Sequence, residues 1–261
     1  MENVRKKTQK SFFAFGKQVF SGSHSDSIGK RPSMEDACVA FGEVFGPNTQ
    51  YYGLFDGHGG SSVSVSASST LHLKFQEKYN GVDNIDQMIQ DCINEWNNEA
   101  VSRWLATGST AAIVLIIGDL IVTANIGDTR IIIIDGDSHF RCTKDHNVQD
   151  PEEVQAIISR GGVMFNERVN GLLSLTRSLG DGSLKGIISH EAYITYIQRN
   201  DNMKLIIACD GIWEVMSDED AVDIFLKAES PSAAAKQIKD EALKRGTTDN
   251  VSVMCINMKP K

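Results

Sequence analysis

The sequence has no C-x-x-C pair, no G-x-x-x-x-G-K-[ST] loop, no apolar run of membrane length and no surplus of positive charge. Each absence removes a class of function. The five cysteines (Cys38, Cys92, Cys142, Cys209, Cys255) are scattered, which argues against a disulfide framework or a zinc site and fits small buried thiols in a reducing compartment. Without the glycine-lysine loop, a P-loop nucleotide cradle is excluded. The longest apolar run, "AAIVLII" at 111–117, falls far short of the roughly 20 residues that cross a bilayer. The net charge of -8 opposes a surface built for phosphate backbones, so no nucleic-acid partner is expected. No secretory apolar segment follows the basic N-terminal cluster, and Glu2 stands where myristoylation needs glycine. A soluble protein without a transmembrane segment, cytoplasmic or else nuclear, is the expectation.

What is present suits a globular core, with 41% hydrophobic and 23% charged residues over 261 positions. Residues 1–20 form a basic-aromatic arm in which Arg5, Lys6, Lys7, Lys10 and Lys17 interleave with Phe12, Phe13, Phe15 and Phe20. Such an arm either touches an acidic surface or packs its phenylalanines on the domain. One domain, 21–258, follows without repeats or long linkers. Its strand signals are dense: residues 50–56, then "AAIVLII", "LIVTANI" and "RIIIID" across 111–135, then "KLIIACD" at 204–210 and "VSVMCIN" at 251–257. The breaks at Gly118-Asp119 and Gly127-Asp128-Thr129 leave no room for crossover helices, which predicts an antiparallel meander over 111–135. Apolar residues at every position predict strands covered on both faces.

Helices supply the cover. From Ile85, the positions Met88, Ile89, Cys92, Ile93, Trp96, Ala100 and Trp104 form one apolar stripe. "DPEEVQAIISRGG" reads as a short helix capped by Asp150, begun at Pro151 and stopped at Gly161. Ser217 with Asp220, and Ser230 with Pro231, open two more, the second ending at Gly246. The serine-rich stretch from Ser61 to Thr70 begins a small-residue helix rather than a linker. The sum is an α+β fold, with antiparallel sheet packed on itself and helices outside.

Acids recur where these strands end. Asp56 closes "YYGLFD", Asp210 closes "KLIIACD", and Asp249 directly precedes "VSV"; Glu35, Asp36, Asp128 and Asp181 lie in similar settings. A lone aspartate beside glycine is ordinarily a turn former. Three acids abutting fully apolar strands require partners or an ion. Hard oxygen ligands without accompanying cysteine or histidine clusters select Mg²⁺ or Mn²⁺. Two such ions about 3.5–4 Å apart can share a carboxylate, and the glycine after Asp56 leaves a carbonyl open to coordinate. Arg31 then offers a guanidinium fork for a phosphoryl group. His58 is either a proton donor to a leaving oxygen or a turn histidine.

These stretches, in order, resemble the metal-dependent protein phosphatases of the type 2C serine/threonine family. "RPSMEDA" resembles its R-x-x-M-E-D opening, "LFDGHGG" its D-G-H-G-G, and "GSTAAIV" its G-S-T-A strand; "ANIGDTR", "RVNGLLSLTRSLGD", "ACDGIWE" and "DNVSV" resemble later blocks. The resemblance implies a central sandwich of two antiparallel β-sheets flanked by pairs of helices, a four-layer αββα fold with its metal site at one end. It implies Asp56 as bridging ligand, Gly57 contributing its carbonyl, Asp210 and Asp249 at the first metal and Glu35 at the second. Asp36 orients water, Arg31 binds phosphate and His58 is the general acid. Asp128 and Glu214 match a weaker third metal site, where Glu214 replaces the family's usual aspartate and displaces its carboxylate by a methylene. The segment "GSLKGIISHEAYITYI" after Asp181 is shorter than the family's and lacks its usual proline, and Arg168 matches a basic residue near the peptide groove.

The implied activity is hydrolysis of phosphoserine and phosphothreonine in phosphorylated protein substrates, a signalling reaction. It would proceed through a water or hydroxide bridging two Mg²⁺ or Mn²⁺ ions, in a monomer and without a phosphoenzyme. A third ion stays open. So do two other readings, a catalytically weak phosphatase-like binding module and a metal-dependent hydrolase of small phosphoesters.

Overall fold

Successive residues of the strand Ala111–Ile117 belong to two different apolar layers. Ala111, Ile113 and Leu115 lie among residues of two helices, while Ala112, Val114 and Ile116 lie among residues of a second sheet. A strand dry on both faces has this period of two. The computed structural model describes residues 12–81 and 83–261. Its larger sheet has six strands in the order β1 (Phe12–Phe15), β3 (Ala37–Gly42), β4 (Thr49–Phe55), β7 (Ala111–Ile117), β8 (Leu120–Ile126) and β14 (Tyr193–Gln198). The facing sheet has five, β10 (Ser138–Arg141), β9 (Arg130–Asp135), β15 (Lys204–Ala208), β16 (Val251–Pro260) and β2 (Phe20–Ser27). Neighbours within these sheets are antiparallel, except that β1 runs parallel to β3.

Helices α1 (Ser62–Lys78) and α2 (Ile85–Arg103) supply Val63, Leu71, Phe75, Ile89 and Ile93 to the layer on the larger sheet. On the smaller sheet, α5 (Asp218–Lys227) and α6 (Pro231–Arg245) bring Phe225, Ala234 and Ile238 against Ile132, Ile206 and Val253. The three apolar layers thus order the fold as helices, sheet, sheet, helices. All five cysteines are buried free thiols.

The capping signals act as read. Asp150 accepts from the Glu152 amide at 2.8 Å at the head of α3 (Pro151–Ser159). Ser217 and Asp220 form a reciprocal capping box on α5. Ser230 accepts from the Ala233 amide, and α6 stops at Gly246 with φ +95°. Each such cap contributes about 1 kcal/mol.

The meander expected over 111–135 is only half present. β7 and β8 pair through a tight turn, but β9 leaves for the other sheet and pairs with β15 and β10. Gly127, at φ +89°, lets the chain turn that corner, and the buried Asn125 side chain holds it by donating to the Gly127 and Lys144 carbonyls. Turn length bars a crossover helix but does not dictate which sheet receives the next strand.

The arm's cations Arg5, Lys6, Lys7 and Lys10 lie outside the described residues. Its aromatic part is built into the fold: Phe12 packs on the layer between the sheets, Phe13 on the helix side, and Phe20 is buried within β2. Among the described residues, no helix is long and apolar enough to cross a membrane.

Candidate metal centre

Antiparallel pairing explains why acids far apart in the chain meet. Ala37 at the start of β3 pairs with Phe55 at the end of β4, so Asp36 and Asp56 emerge together. In the facing sheet Ala208, at the end of β15, pairs with Val253 of β16 and with Arg130 at the start of β9. That register brings Asp210, Asp249 and Asp128 to one end. A short helix, α4 (Asp210–Trp213), carries Asp210 on its first residue. The acids from both sheets share a cavity of about 250 Å³. Arg31, Glu35, Asp56, Gly57, His58, Asp128, Arg168, Asp210 and Asp249 line it; Asp36 is buried and Glu214 is exposed, and neither lines the cavity.

The backbone around Asp56 is pinned. Its amide donates to Thr110 Oγ1 at 3.0 Å, and its carbonyl accepts from the Thr110 amide and from Ser109 Oγ. Gly57 must be glycine, because a Cβ there would collide with the Glu35 carbonyl and Ser64 Oγ. That close approach draws the Glu35 loop over β5 (Gly57–His58), which pairs with β6 (Gly108–Ser109), itself paired with β13 (Leu179–Gly180). Glu35 accepts from the Gly60 amide at 3.1 Å and from Ser33 Oγ at 2.8 Å. Ser109, whose hydroxyl lies beside the Asp56 backbone, is fully buried and donates to the carbonyls of Asp56 and Thr110.

Two groups of ligand atoms gather within 4.8 Å of one another: Asp36, Asp56 and the Cys209 sulfur, and Asp210, Glu214 and Asp249. Glu214 therefore sits with Asp210 and Asp249, and Asp128 belongs to neither group; Asp128 instead accepts from the side-chain Nδ2 of Asn147 at 3.4 Å. Burial holds Asp56 and Asp210 well above the usual carboxylate range, reinforced by neighbouring acids. Burial likewise pushes Asp36 and Asp128 up to about 6. The same burial keeps the Cys209 thiol protonated, so it is no thiolate ligand.

So many carboxylates cannot ionise together in this space without added positive charge. Arg31 is the cation at hand, with Nη2 2.5 Å from Asp249 Oδ2. Asp36 supplies the sharpest test of fit: it is 2% exposed and neither carboxylate oxygen meets a hydrogen-bond donor. Orphaned buried acceptors among hard oxygen ligands fit divalent cations such as Mg²⁺ or Mn²⁺.

Two residues escaped the sequence reading. The buried Asn250 accepts from the Glu35 amide at 2.8 Å and donates to the carbonyls of Ile28 and Ser33, tying the Arg31–Glu35 loop to β16. Its one signal was a polar residue at the head of an apolar strand. Asp181 was noted as an acid beside glycine and given no role; its Oδ2 lies 2.7 Å from His58 Nε2.

The chain is similar to known proteins over most of its length. Residues 22–251 match the family model described as Protein phosphatase 2C. Protein phosphatase 2C homolog 1 of Saccharomyces cerevisiae is 32% identical over 232 residues, covering 79% of this chain and 81% of the yeast protein. The Schizosaccharomyces pombe protein of the same name is 33% identical over 244 residues, covering 87% and 70%. A probable protein phosphatase 2C of Arabidopsis thaliana is 31% identical across 91% of this chain, which spans only 55% of that relative's length. Among solved structures, a C. elegans sex determining protein superposes with a TM-score of 0.83 at 25% identity, over 94% of this chain and 66% of that one. Serine-threonine phosphatase 2C from Toxoplasma gondii has the same fold, with a TM-score of 0.79 at 20% identity over 92% and 95%. The chain belongs to the protein phosphatase 2C family.

Proposed function

We propose that this chain hydrolyses phosphoserine and phosphothreonine in protein substrates, using two Mg²⁺ or Mn²⁺ ions. The observation that carries the reading is the convergence of Asp56, Asp210, Asp249 and Glu35 on one cavity that also contains Arg31 and His58. Asp56, with the Gly57 carbonyl beside it, would be shared between the ions, with Asp210 and Asp249 at one and Glu35 at the other. When bound, the ions supply the charge that lets these carboxylates ionise together, polarise the phosphoryl oxygens and acidify a water for attack.

The chain's own groups do the rest. One guanidinium donor of Arg31 is engaged by Asp249, and the others are free in number to grip phosphoryl oxygens. Asp36, with its unpartnered oxygens behind Asp56, orients water. His58 protonates the departing seryl or threonyl oxygen. Ser109 is committed to backbone carbonyls, which fits direct hydrolysis without a phosphoenzyme.

The test is turnover of a phosphoserine peptide with Mn²⁺, with and without chelator, on wild type and Asp210→Ala. Activity that needs the metal and disappears in the variant supports the reading. Preferential turnover of nucleotides would transfer it to small phosphoesters, and binding of phosphopeptide without turnover would make it a recognition module.

A further inference from the structure

His58 has a partner outside the cavity it faces. Its Nε2 lies 2.7 Å from Oδ2 of Asp181, a residue 4% exposed that does not line the metal cavity but lines a separate one on the far side, beside Asn97 and Leu184. The same Oδ2 accepts from the buried Ser178 hydroxyl at 2.5 Å, so this oxygen is held from two directions. Its backbone is held as firmly. Asp181 sits in the left-handed region at φ 48°, unusual for a residue with a side chain. Its amide donates to the Thr107 carbonyl, its carbonyl accepts from the Leu184 amide, and the amides of Gly182 and Ser183 donate to the carbonyls of Trp104 and Leu105, just past α2.

The short sheet β13–β6–β5 exists at the same spot. His58 pairs with Gly108 and Gly108 with Gly180, which places Asp181 and His58 on either side of Gly108. A Cβ on Gly108 would overlap both Asp181 Oδ2 and His58 Nε2. The central strand therefore carries no side chain where the carboxylate and imidazole meet. A pair that only stabilised the surface would not need this clearance, nor a second buried donor on the same oxygen.

We infer that Asp181 is a positioning residue for catalysis: it accepts the Nε2 hydrogen of His58, fixes the ring, and leaves Nδ1 as the atom that hands a proton to the leaving oxygen. The inference rests on the proposed phosphatase reading. The donor is the imidazolium form: as the P–O bond breaks and water takes the phosphoryl group, the electron pair stays on the seryl oxygen and the Nδ1 proton completes the hydroxyl, leaving a neutral ring with its hydrogen on Nε2, still bonded to Asp181. Ser178 acts one step further back by fixing Asp181.

The experiment compares wild type, His58→Ala, Asp181→Asn, Ser178→Ala and the His58→Ala/Asp181→Asn double variant with Mn²⁺, on a phosphoserine peptide and on p-nitrophenyl phosphate, whose leaving group needs no proton. Asp181→Asn should lower kcat on the peptide by about 10²-fold, in the range of a lost proton donor, with a much smaller loss on the nitrophenyl ester and little change in KM. Ser178→Ala should show the same substrate pattern more weakly, and serves if Asp181→Asn fails to fold. The double variant should match His58→Ala. Independently, imidazole ¹⁵N shifts of the metal-free protein at fixed pH should show His58 protonated on Nε2 in wild type, with the tautomer altered in Asp181→Asn. Equal losses on both substrates, a multiplicative double variant, or a neutral wild-type ring that carries its one hydrogen on Nδ1 would each overturn the inference. Wild type that hydrolyses neither substrate would overturn the phosphatase reading instead, and the ¹⁵N spectrum would still report whether Asp181 sets the ring.

Discussion

Arg31 and Asp249 are 218 positions apart in the chain, yet Nη2 of one lies 2.5 Å from Oδ2 of the other. The contact joins the loop after β2 to the head of β16, and it raises the affinity of Arg31 for its proton. It also means that the expected phosphate-binding arginine shares a carboxylate with the expected metal ligand. Arg31→Ala should therefore separate substrate from metal. Loss of a charge-assisted hydrogen bond to phosphate costs about 1.5–3 kcal/mol, so kcat/KM for a phosphoserine peptide should fall between roughly tenfold and a hundredfold. The Mn²⁺ affinity, read by calorimetry, should stay level or improve, because a competing cation has left Asp249. Weaker Mn²⁺ binding in the variant would show that Arg31 supports the metal site instead.

Asn250 is the fastener of that loop. It makes three hydrogen bonds across the site while almost wholly buried. Asn250→Ala would strand the Glu35 amide and two carbonyls away from solvent, at about 1–3 kcal/mol for each group left unsatisfied. The expected result is a clear drop in denaturant midpoint with an unchanged m-value, and weaker metal and substrate binding because Glu35 and Arg31 both hang from the loop. A variant as stable as wild type would mean the loop is held by other contacts.

How the acids behave with pH offers a third test. Burial raises Asp36 from the ordinary aspartate value to about 6, so the folded protein binds that proton more tightly than the unfolded chain. The metal-free fold is then favoured at low pH, and this contribution is lost as pH rises from about 4 through about 6. By about pH 7.5 the buried charge costs on the order of 3 kcal/mol before relaxation. In chelator, Asp36→Asn should raise the melting temperature relative to wild type at pH 7.5 and lose that advantage toward pH 4. Comparing the two proteins at each pH cancels the opposing contribution of buried histidines such as His146, which burial lowers to about 4. With Mn²⁺ added the variant should lose its advantage and its activity together. An Asp36→Asn protein no more stable than wild type at pH 7.5 would show that this carboxylate is already compensated.

Helix caps and apolar strands were legible because their signals are local. Asp150, Ser217 and Ser230 act within three residues of themselves, and strands such as "AAIVLII" admit few alternatives. The acids were suspicious one by one, since charge seldom abuts a fully apolar strand. Their meeting was not legible from the residues. It depends on Ala37 pairing with Phe55 and Ala208 with Val253, registers set by the whole fold, and only resemblance to a family supplied them in advance. β9 was misassigned to the meander for the same reason: a three-residue corner looks alike whether it returns to one sheet or crosses to another. Asp181 and Asn250 were hidden because an aspartate beside glycine and an asparagine before a strand are ordinary turn chemistry. Their importance lies in contacts 123 and 215 residues away in sequence.

Glu214 bears on how many ions the site engages. Its carboxylate gathers with Asp210 and Asp249 within 4.8 Å, while Asp128 does not join them. Burial and the neighbouring Asp249 raise its proton affinity, as expected of an acid crowded against others of like charge. An aspartate at this position would withdraw the carboxylate by one methylene, more than an ångström or so. If Glu214 assists the ion held by Asp210 and Asp249, both Glu214→Asp and Glu214→Gln should move the midpoint of Mn²⁺ activation to higher concentration, by roughly tenfold for loss of an outer carboxylate, and leave kcat at saturating metal nearly unchanged. If it serves a separate, weaker ion together with Asp128, Glu214→Asp should instead add or sharpen a second phase at high Mn²⁺, and Asp128→Asn should abolish that phase. Titrating activity against Mn²⁺ for these three variants decides between the arrangements, because only the second couples residues 128 and 214.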